Sequence, residues 1–264
     1  MAQRRGGKSP SVIKAVDHAF DVLEALGGDR EELGVTELSK ELGLSKNNVF
    51  RLLATFQERD YVEQNPKTEH YRLGLKVFEM AQVYLHKSGL IRHAQPVLNE
   101  MVAACDESAY ISILRDDEIV YLDLMESRHT IKLIPRVGRR LPSHCTAAGK
   151  IQLAYQSEDD LERLFKDRPI VRYTDNTVAD FDALLKELAR CAEQGYAVDN
   201  KEYEDEVRCV AAPVRDYTRR VVAGISIAGP VFRMTDEVVE ENLVPLVVEG
   251  ARTVSAKLGY SEND

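Results

Sequence analysis

The stretch VTELSKELGLSKNNVFRLLATF, Val35 to Phe56, decides the first part of the fold. It reads as two short helices joined by a tight turn. Leu38 and Leu42 lie four apart and share one face of the first helix, for which Thr36 is the expected N-cap. Gly43 follows the last periodic residue, and a glycine there takes the left-handed conformation that ends a helix. Ser45 is the expected cap of the second helix, in which Val49, Leu52, Leu53 and Phe56 recur at three- and four-residue spacing and turn inward. Lys46, Asn47, Asn48, Arg51 and Thr55 are left outward. Such side chains suit a DNA duplex: asparagine pairs with adenine and arginine with guanine in the major groove, while lysine and threonine reach phosphates. The pattern is that of a helix-turn-helix with a recognition helix. Apolar spacing alone also fits a helical hairpin whose polar face is merely solvated.

The flanks argue for the first reading. Upstream, Ser11 is the expected cap of a helix reaching about Leu26, with Val12, Val16, Ala19, Phe20 and Leu23 as its apolar stripe and Gly27-Gly28 as its stop. Downstream, DYVEQNPKTEHYRLG carries strand-like Tyr61-Val62 and Tyr71-Arg72-Leu73 around turn chemistry, so it reads as a β-hairpin. Three helices and a hairpin make a winged helix over residues 11–74, with Lys67 and His70 placed on the wing to touch DNA beside the recognition helix. Thr36 and Ser45, at the helix starts, complete the DNA-facing set. Residues 1–10 read as a disordered basic arm bearing Arg4, Arg5 and Lys8. Residues 75–90 read as an amphipathic linker helix with Leu75, Phe78, Ala81, Val83 and Leu85 on one side, a candidate dimer contact.

The net charge of −9 sits poorly with a DNA binder until it is divided along the chain. Residues 1–74 hold 11 of the 35 Lys and Arg and 12 of the 44 Asp and Glu, so the excess acid lies in the remainder. A non-specific polybasic coating is excluded, and any DNA contact must come from local placement. Hydrophobic and charged contents of 44% and 30% are those of a soluble globular protein. No apolar run approaches the roughly 20 residues that span a bilayer, and MAQRRGGKSP lacks the apolar core of a signal peptide, so no membrane partner and a cytoplasmic location are expected. Cys105, Cys145, Cys191 and Cys209 are widely spaced without a CxxC, which fits free thiols better than disulfides or zinc.

Residues 91–260 read as a second domain. A helix from about Arg92 to Cys105 precedes two strands in SAYISILRDDEIVYLDLM and a third in HTIKLIPRV. GRRLPSHCTAAGKIQLAYQ is a loop running into a helix, and further helices fall near Glu158 to Phe165 and Val178 to Gln194. Strands at Tyr196 to Asn200, Arg208 to Val214 and Arg220 to Ala228 and a helix over Asp236 to Leu258 complete an α+β unit with an antiparallel sheet.

Blocks from both parts then point to one family. NNVFRLLATFQERDYVEQ and YRLG in the first part, and GRRLPSHCTAAGKIQLA, EQGYAVDNKEY, CVAAPVRD and VAGISIAGP in the second, resemble the IclR-type (isocitrate lyase regulator) transcriptional regulators in the same order, over about Ser11 to Leu258. The resemblance implies an N-terminal winged helix-turn-helix, a linker helix and a C-terminal GAF-like effector-binding domain. It implies a ligand-responsive regulator, by family habit more often a repressor, bound as a dimer or tetramer to a pseudo-palindromic operator. Family effectors include organic and aromatic acids. Two departures stand out: Glu206-Val207 where the family often has glycine, and Arg219 or Arg220 at another frequent glycine.

The resemblance implies an effector cavity, and the residues make chemical sense of one. Thr146 is the expected cap of a helix starting at Ala147, and small Ala147, Ala148 and Gly149 leave its first N–H groups open to an anion such as a carboxylate. Asp199, Cys209 and Ser226 approach from strands, with Leu141 and Ala228 as apolar walls. The residues alone fit a tightly packed helix start and a core thiol better; the resemblance is what favours a pocket.

Other constellations carry less. His144 and Cys145 are adjacent on an extended segment and point apart, so no base faces a nucleophile and no catalytic residue is expected. His86, His93, His129 and His144 lack metal-ligand spacing to the cysteines, so neither a metal nor a cofactor is expected. Lys150 reads as an exposed helix residue, and Glu202, Glu204, Asp205 and Glu206 as a solvated loop. The rival function is a small-molecule-binding enzyme or module whose N-terminal domain makes only protein contacts.

Overall fold

The computed structural model describes residues 12–28, 30–87, 89–133, 136–166 and 168–261, with no account of the side chains of 82 and 84–87. The basic arm, Ser11 and the side chains of Leu85 and His86 therefore lie outside the described residues. The chain divides into two compact units, Met1–Lys87 and Ser88–Asp264.

In the first unit α1 spans Lys14–Leu26, α2 Val35–Leu42 and α3 Lys46–Glu58. Strands β1, Val62–Gln64, and β2, Tyr71–Leu73, pair antiparallel, and α4 covers Leu75–Lys87. Leu33 bridges Tyr71, which ties the α1–α2 loop to the hairpin. The core is Val22, Leu26, Leu33, Leu38, Val49, Leu53, Val62 and Tyr71, so three helices and a wing share one apolar centre. The α2–α3 turn has the expected chemistry: Gly43 sits at φ 67° and Ser45 Oγ accepts the Asn48 N–H at 3.3 Å.

Three local expectations are corrected here. Thr36 lies inside the first turn of α2; the N-cap is Gly34, in extended conformation, whose N–H donates to Glu37 Oε2 at 2.8 Å. Helix α1 begins at Lys14 behind Ile13, which offers no side-chain cap, in place of the serine cap expected. Its buried residues are Val22 and Leu26, while Val12, Val16 and Phe20 of the expected stripe are exposed. The apolar residues of α1 form two adjacent stripes, and periodicity alone does not say which one the chain itself covers.

In the second unit α5, Gly89–Cys105, leads into β3, Ser108–Arg115, and β4, Glu118–Met125. Next come β5, Arg140–Pro142, α6, Ala147–Leu153, α7, Glu158–Leu161 with a π turn to Lys166, and α8, Phe181–Gln194. Strands β6, Ala197–Asn200, β7, Val207–Arg215, and β8, Val221–Pro230, follow. The last helical stretch runs from α9, Asp236–Val238, through a π turn into α10, Val244–Lys257. The six strands form one antiparallel sheet in the order β5-β4-β3-β8-β7-β6. HTIKLIPRV contributes no strand among its described residues; the short β5 takes that place, pairing Ile119 with Leu141.

Helices cover both faces of this sheet. Val97, Leu98 and Met101 of α5 and Val247, Ala251 and Val254 of α10 pack with Ile111, Val210 and Ile225. On the other face Ala147, Ala148 and Ile151 of α6 pack with Tyr110, Tyr121, Cys209, Ala211 and Ala228. Alternation along each strand assigns its residues to one core or the other. The short helix α6 lies very close to the preceding loop: a Cβ on Gly149 would stand 2.2 Å from the Ser143 carbonyl oxygen, so only glycine fits.

Candidate functional site

The first unit presents α3 outward. Lys46, Asn47, Arg51 and Thr55 are exposed and Asn48 is half-buried, while Val49 and Leu53 face the core. Thr55 Oγ1 donates to the Arg51 carbonyl at 2.8 Å, so its hydroxyl proton stays within the helix. Phe50 and Ala54 are also exposed on α3; the sequence reading assigned neither a role. Thr36 is exposed on α2.

The wing holds one expected residue outward and turns the other in. Lys67 is exposed at the tip, its N–H donating to Asn65 Oδ1 at 3.0 Å. His70 is half-buried, and a Cβ on Gly34 would meet its ring at 3.1 Å, so it packs at the start of α2 and not on the wing tip. An anchor the sequence did not reveal is Glu32. Its carboxylate accepts from Asn65 Nδ2 at 2.8 Å and from Thr68 Oγ1 at 2.9 Å, and these bonds hold its pKa below the ordinary value.

In the second unit a cavity of about 270 Å³ opens on the sheet face that carries α6. It is lined by Tyr110, Tyr121, Lys132, Leu133, Arg139, Leu141, Thr146, Ala148, Asp199, Tyr203, Glu204, Val207, Cys209 and Ala228. Sheet register explains part of the gathering. Asp199 pairs with Cys209 and Cys209 with Ala228, which sets three of the expected residues in a row across β6, β7 and β8. Leu141, Thr146 and Ala148 join them from the β5–α6 segment.

Ala147, Gly149 and Ser226 are not in the lining. Ala147 is fully buried in the packing of α6, and Gly149 faces Ser143. Ser226 is buried at a sheet position beside Gly224, over which stand the Ala148 carbonyl and Gln152 of α6. Thr146 precedes α6 but does not cap it with its side chain; its hydroxyl donates to the Pro142 carbonyl at 2.8 Å. Of the first three residues of α6, only Ala148 meets the cavity.

The positive charge at the cavity comes from the 126–139 segment instead. Lys132 is paired with Glu126 at 2.6 Å, whereas the Arg139 guanidinium makes no hydrogen bond or ion pair with the described residues. Tyr110 and Tyr121 stack at a tilt, 5.2 Å between centroids, and burial raises the pKa of both. Neither tyrosine was singled out from the sequence. The one signal available was their position on alternating strands, which places them on the face of Cys209.

Two sequence expectations about charge are overturned beneath the cavity. Lys150 is 0% exposed, with Nζ 2.9 Å from Glu187 Oε1 and 2.5 Å from Glu202 Oε1. Glu202 is buried too, so it does not belong to a solvated loop. Its N–H donates to Asp199 Oδ1 at 2.7 Å, and the turn is held from another side by Thr177 Oγ1, which donates to the Glu202 carbonyl at 2.6 Å. Burial pushes the Asp199 carboxyl up to about 7, against the pull of the Glu202 N–H and with the help of the Glu202 charge. Near neutral pH a substantial share of this acid is protonated.

His144 Nε2 lies 2.9 Å from the Val171 carbonyl, and burial raises the Cys145 thiol's pKa, so the thiolate a nucleophile needs is disfavoured. Among the described residues no three His, Cys, Asp or Glu side chains are grouped to hold a metal ion, and no helix is long and apolar enough to cross a membrane.

Comparison with known proteins agrees with both units. Residues 15–66 match the model of the IclR helix-turn-helix domain and residues 82–256 that of the bacterial transcriptional regulator IclR C-terminal domain. The HTH-type transcriptional regulator KdgR of Escherichia coli is 36% identical over 99% of each chain. The HTH-type transcriptional repressor AllR of Salmonella typhi is 30% identical, covering 97% of this chain and 95% of its own. The crystal structure of the Thermotoga maritima IclR superposes with a TM-score of 0.77 at 28% identity, over 94% of this chain and 99% of that one. Relatives of this kind are regulators, which sets the enzyme reading aside.

Proposed function

Because the chain belongs to the IclR family of bacterial transcriptional regulators, with a DNA-binding helix-turn-helix, we propose that it is a repressor controlled by a small organic acid. In this reading it binds a pseudo-palindromic operator in the cytoplasm as a dimer or as a tetramer made of two dimers. One observation carries the DNA side: Lys46, Asn47 and Arg51 stand together on the exposed side of α3. That helix enters the major groove, Arg51 and Asn47 meet base edges, and Lys46 and Lys67 meet phosphates.

Unpaired apolar surface supports the dimer. Val12, Ile13, Val16 and Phe20 of the α1 segment and Leu75, Phe78, Met80 and Val83 of α4 are all exposed, more than a lone domain leaves to water. A second copy covering these faces brings two recognition helices to one side of the duplex, about one turn or a multiple apart.

The acid effector is supported by Arg139 at a cavity whose buried carboxyl, Asp199, resists ionisation because of its burial. An effector that binds the DNA-incompetent arrangement more tightly by about 1 to 3 kcal/mol suffices for control.

The test is a fluorescence-anisotropy titration against the DNA flanking this protein's gene, at two salt concentrations, with and without a panel of small carboxylates. Nanomolar, salt-dependent binding to one fragment that a carboxylate relieves is the expected result. Arg51→Ala should weaken it without changing the carboxylate's own affinity. Weak binding indifferent to sequence, or equal binding by Arg51→Ala, would overturn the operator reading.

A further inference from the structure

The recognition helix carries one large apolar side chain where a solvated face has no use for it. Phe50 is 54% exposed, although Leu52 and Phe56 of the same helix pack on the core. It follows Asn47 by three residues and precedes Ala54 by four, so the helical period stacks these three along one outward ridge, with Arg51 adjoining. Ala54 is exposed and ends at Cβ, so it keeps no surface at a distance from this ridge.

The neighbours decide what covers the ring. Around Phe50 the exposed side chains are Lys46, Asn47 and Arg51, cationic or amide-bearing, which complement a polyanion with hydrogen-bonding edges. A second copy of the chain is better served by α1 and α4, where exposed apolar residues follow one another at helical spacing. The major groove of DNA offers one apolar projection, the C5-methyl group of thymine, and phenylalanine is among the side chains that read it.

We propose that Phe50 is a specificity-determining residue of the operator contact, its ring packing on a thymine C5-methyl group in the major groove beside the base contacts of Asn47 and Arg51. The proposal rests on the operator reading above and adds a base identity to it. Hydrogen-bonding side chains fix donors and acceptors, but thymine and uracil present the same ones. A ring on the methyl group tells them apart.

The experiment starts from an operator enriched out of random duplexes by the full-length chain, in which each thymine is replaced in turn by deoxyuridine. That change deletes the methyl group and keeps the hydrogen-bonding edge. For the unmodified protein, one thymine position per half-site should lose about fourfold in affinity, the worth of one buried methyl group. In Phe50→Ala the thymine and uracil duplexes should bind equally at that position, whereas Phe50→Leu, which keeps an apolar contact, should retain part of the difference. No methyl-sensitive position, or one that persists in Phe50→Ala, overturns the proposal. So does a change of oligomeric mass in Phe50→Ala with an unaltered uracil pattern, which would place the ring between protein copies. If no duplex is enriched at all, the operator reading itself has failed, and that result is distinct from the others.

Discussion

Lys150 and Glu202 form an ion pair wholly inside the C-terminal unit, with 2.5 Å between Nζ and Oε1. Burial opposes the lysine's charge, and Glu202 and Glu187 outweigh it, so its pKa is raised. Through the Glu202 N–H to Asp199, the pair holds the turn that carries Tyr203 and Glu204 to the cavity. Lys150→Met should therefore leave the buried Glu202 without its cation, while Glu187 keeps Arg190, and cost about 3 to 5 kcal/mol, the usual penalty for halving a buried pair. Chemical denaturation measures it, and a loss under about 1 kcal/mol would mean that the pair is not buried in solution.

Asp199 makes stability depend on pH with a definite sign. Its folded pKa, about 7, lies above the ordinary aspartate value of 3.8, so its favourable contribution is complete below about pH 4 and is lost as pH rises through 7. Comparing Asp199→Asn with the parent by thermal melting from pH 4 to 8 should show the variant gaining on the order of 2 to 4 kcal/mol relative to the parent across that window. A difference that does not change with pH contradicts the assignment.

Arg139 tests the effector side. It lines the cavity and has no ion-pair partner among the described residues, so Arg139→Ala removes the available cation without exposing a buried carboxylate. A carboxylate that shifts the melting temperature of the parent should bind the variant about tenfold more weakly, as expected for one charge-assisted hydrogen-bond set. Operator affinity in the absence of the carboxylate should be unchanged. An unaltered carboxylate affinity would place the anion elsewhere in the cavity.

Glu32 tests the wing. Its carboxylate joins Asn65 and Thr68 to the α1–α2 loop, so Glu32→Ala should free the hairpin tip while the core residues Leu33 and Tyr71 stay paired. Hydrogen exchange at residues 65–70 should accelerate, and operator affinity should fall by roughly threefold to tenfold through the looser placement of Lys67, the loss of about one phosphate contact. Unchanged exchange would show that the hairpin needs no such anchor.

Much of the fold was legible because it rests on local chemistry. Gly43 and Ser45 mark a turn through backbone conformation and capping, which depend on a few neighbouring residues, and Val49, Leu52, Leu53 and Phe56 declare a face by spacing. The cavity was legible in part. Leu141, Thr146, Ala148, Asp199, Cys209 and Ala228 come together as expected, whereas Tyr110 and Tyr121 arrive from β3 and β4, and Arg139 and Tyr203, though only a few residues from Leu141 and Asp199, carry no local signal that they face the cavity. Lys150 was misread because one basic residue on a short helix looks solvated until its two carboxylate partners, 37 and 52 residues later, are known.

The sequence by itself determined most of the elements and the helix-turn-helix, since these depend on periodicity, capping and turn residues within about ten positions, and its matching blocks carried the family resemblance. Tertiary structure alone decided which stripe of α1 is covered, which charges are buried and which side chains share the cavity. These are settled by pairing across the sheet, as in the row Asp199, Cys209 and Ala228, and by burial, which changes the charge state of Asp199 without changing its neighbours in sequence.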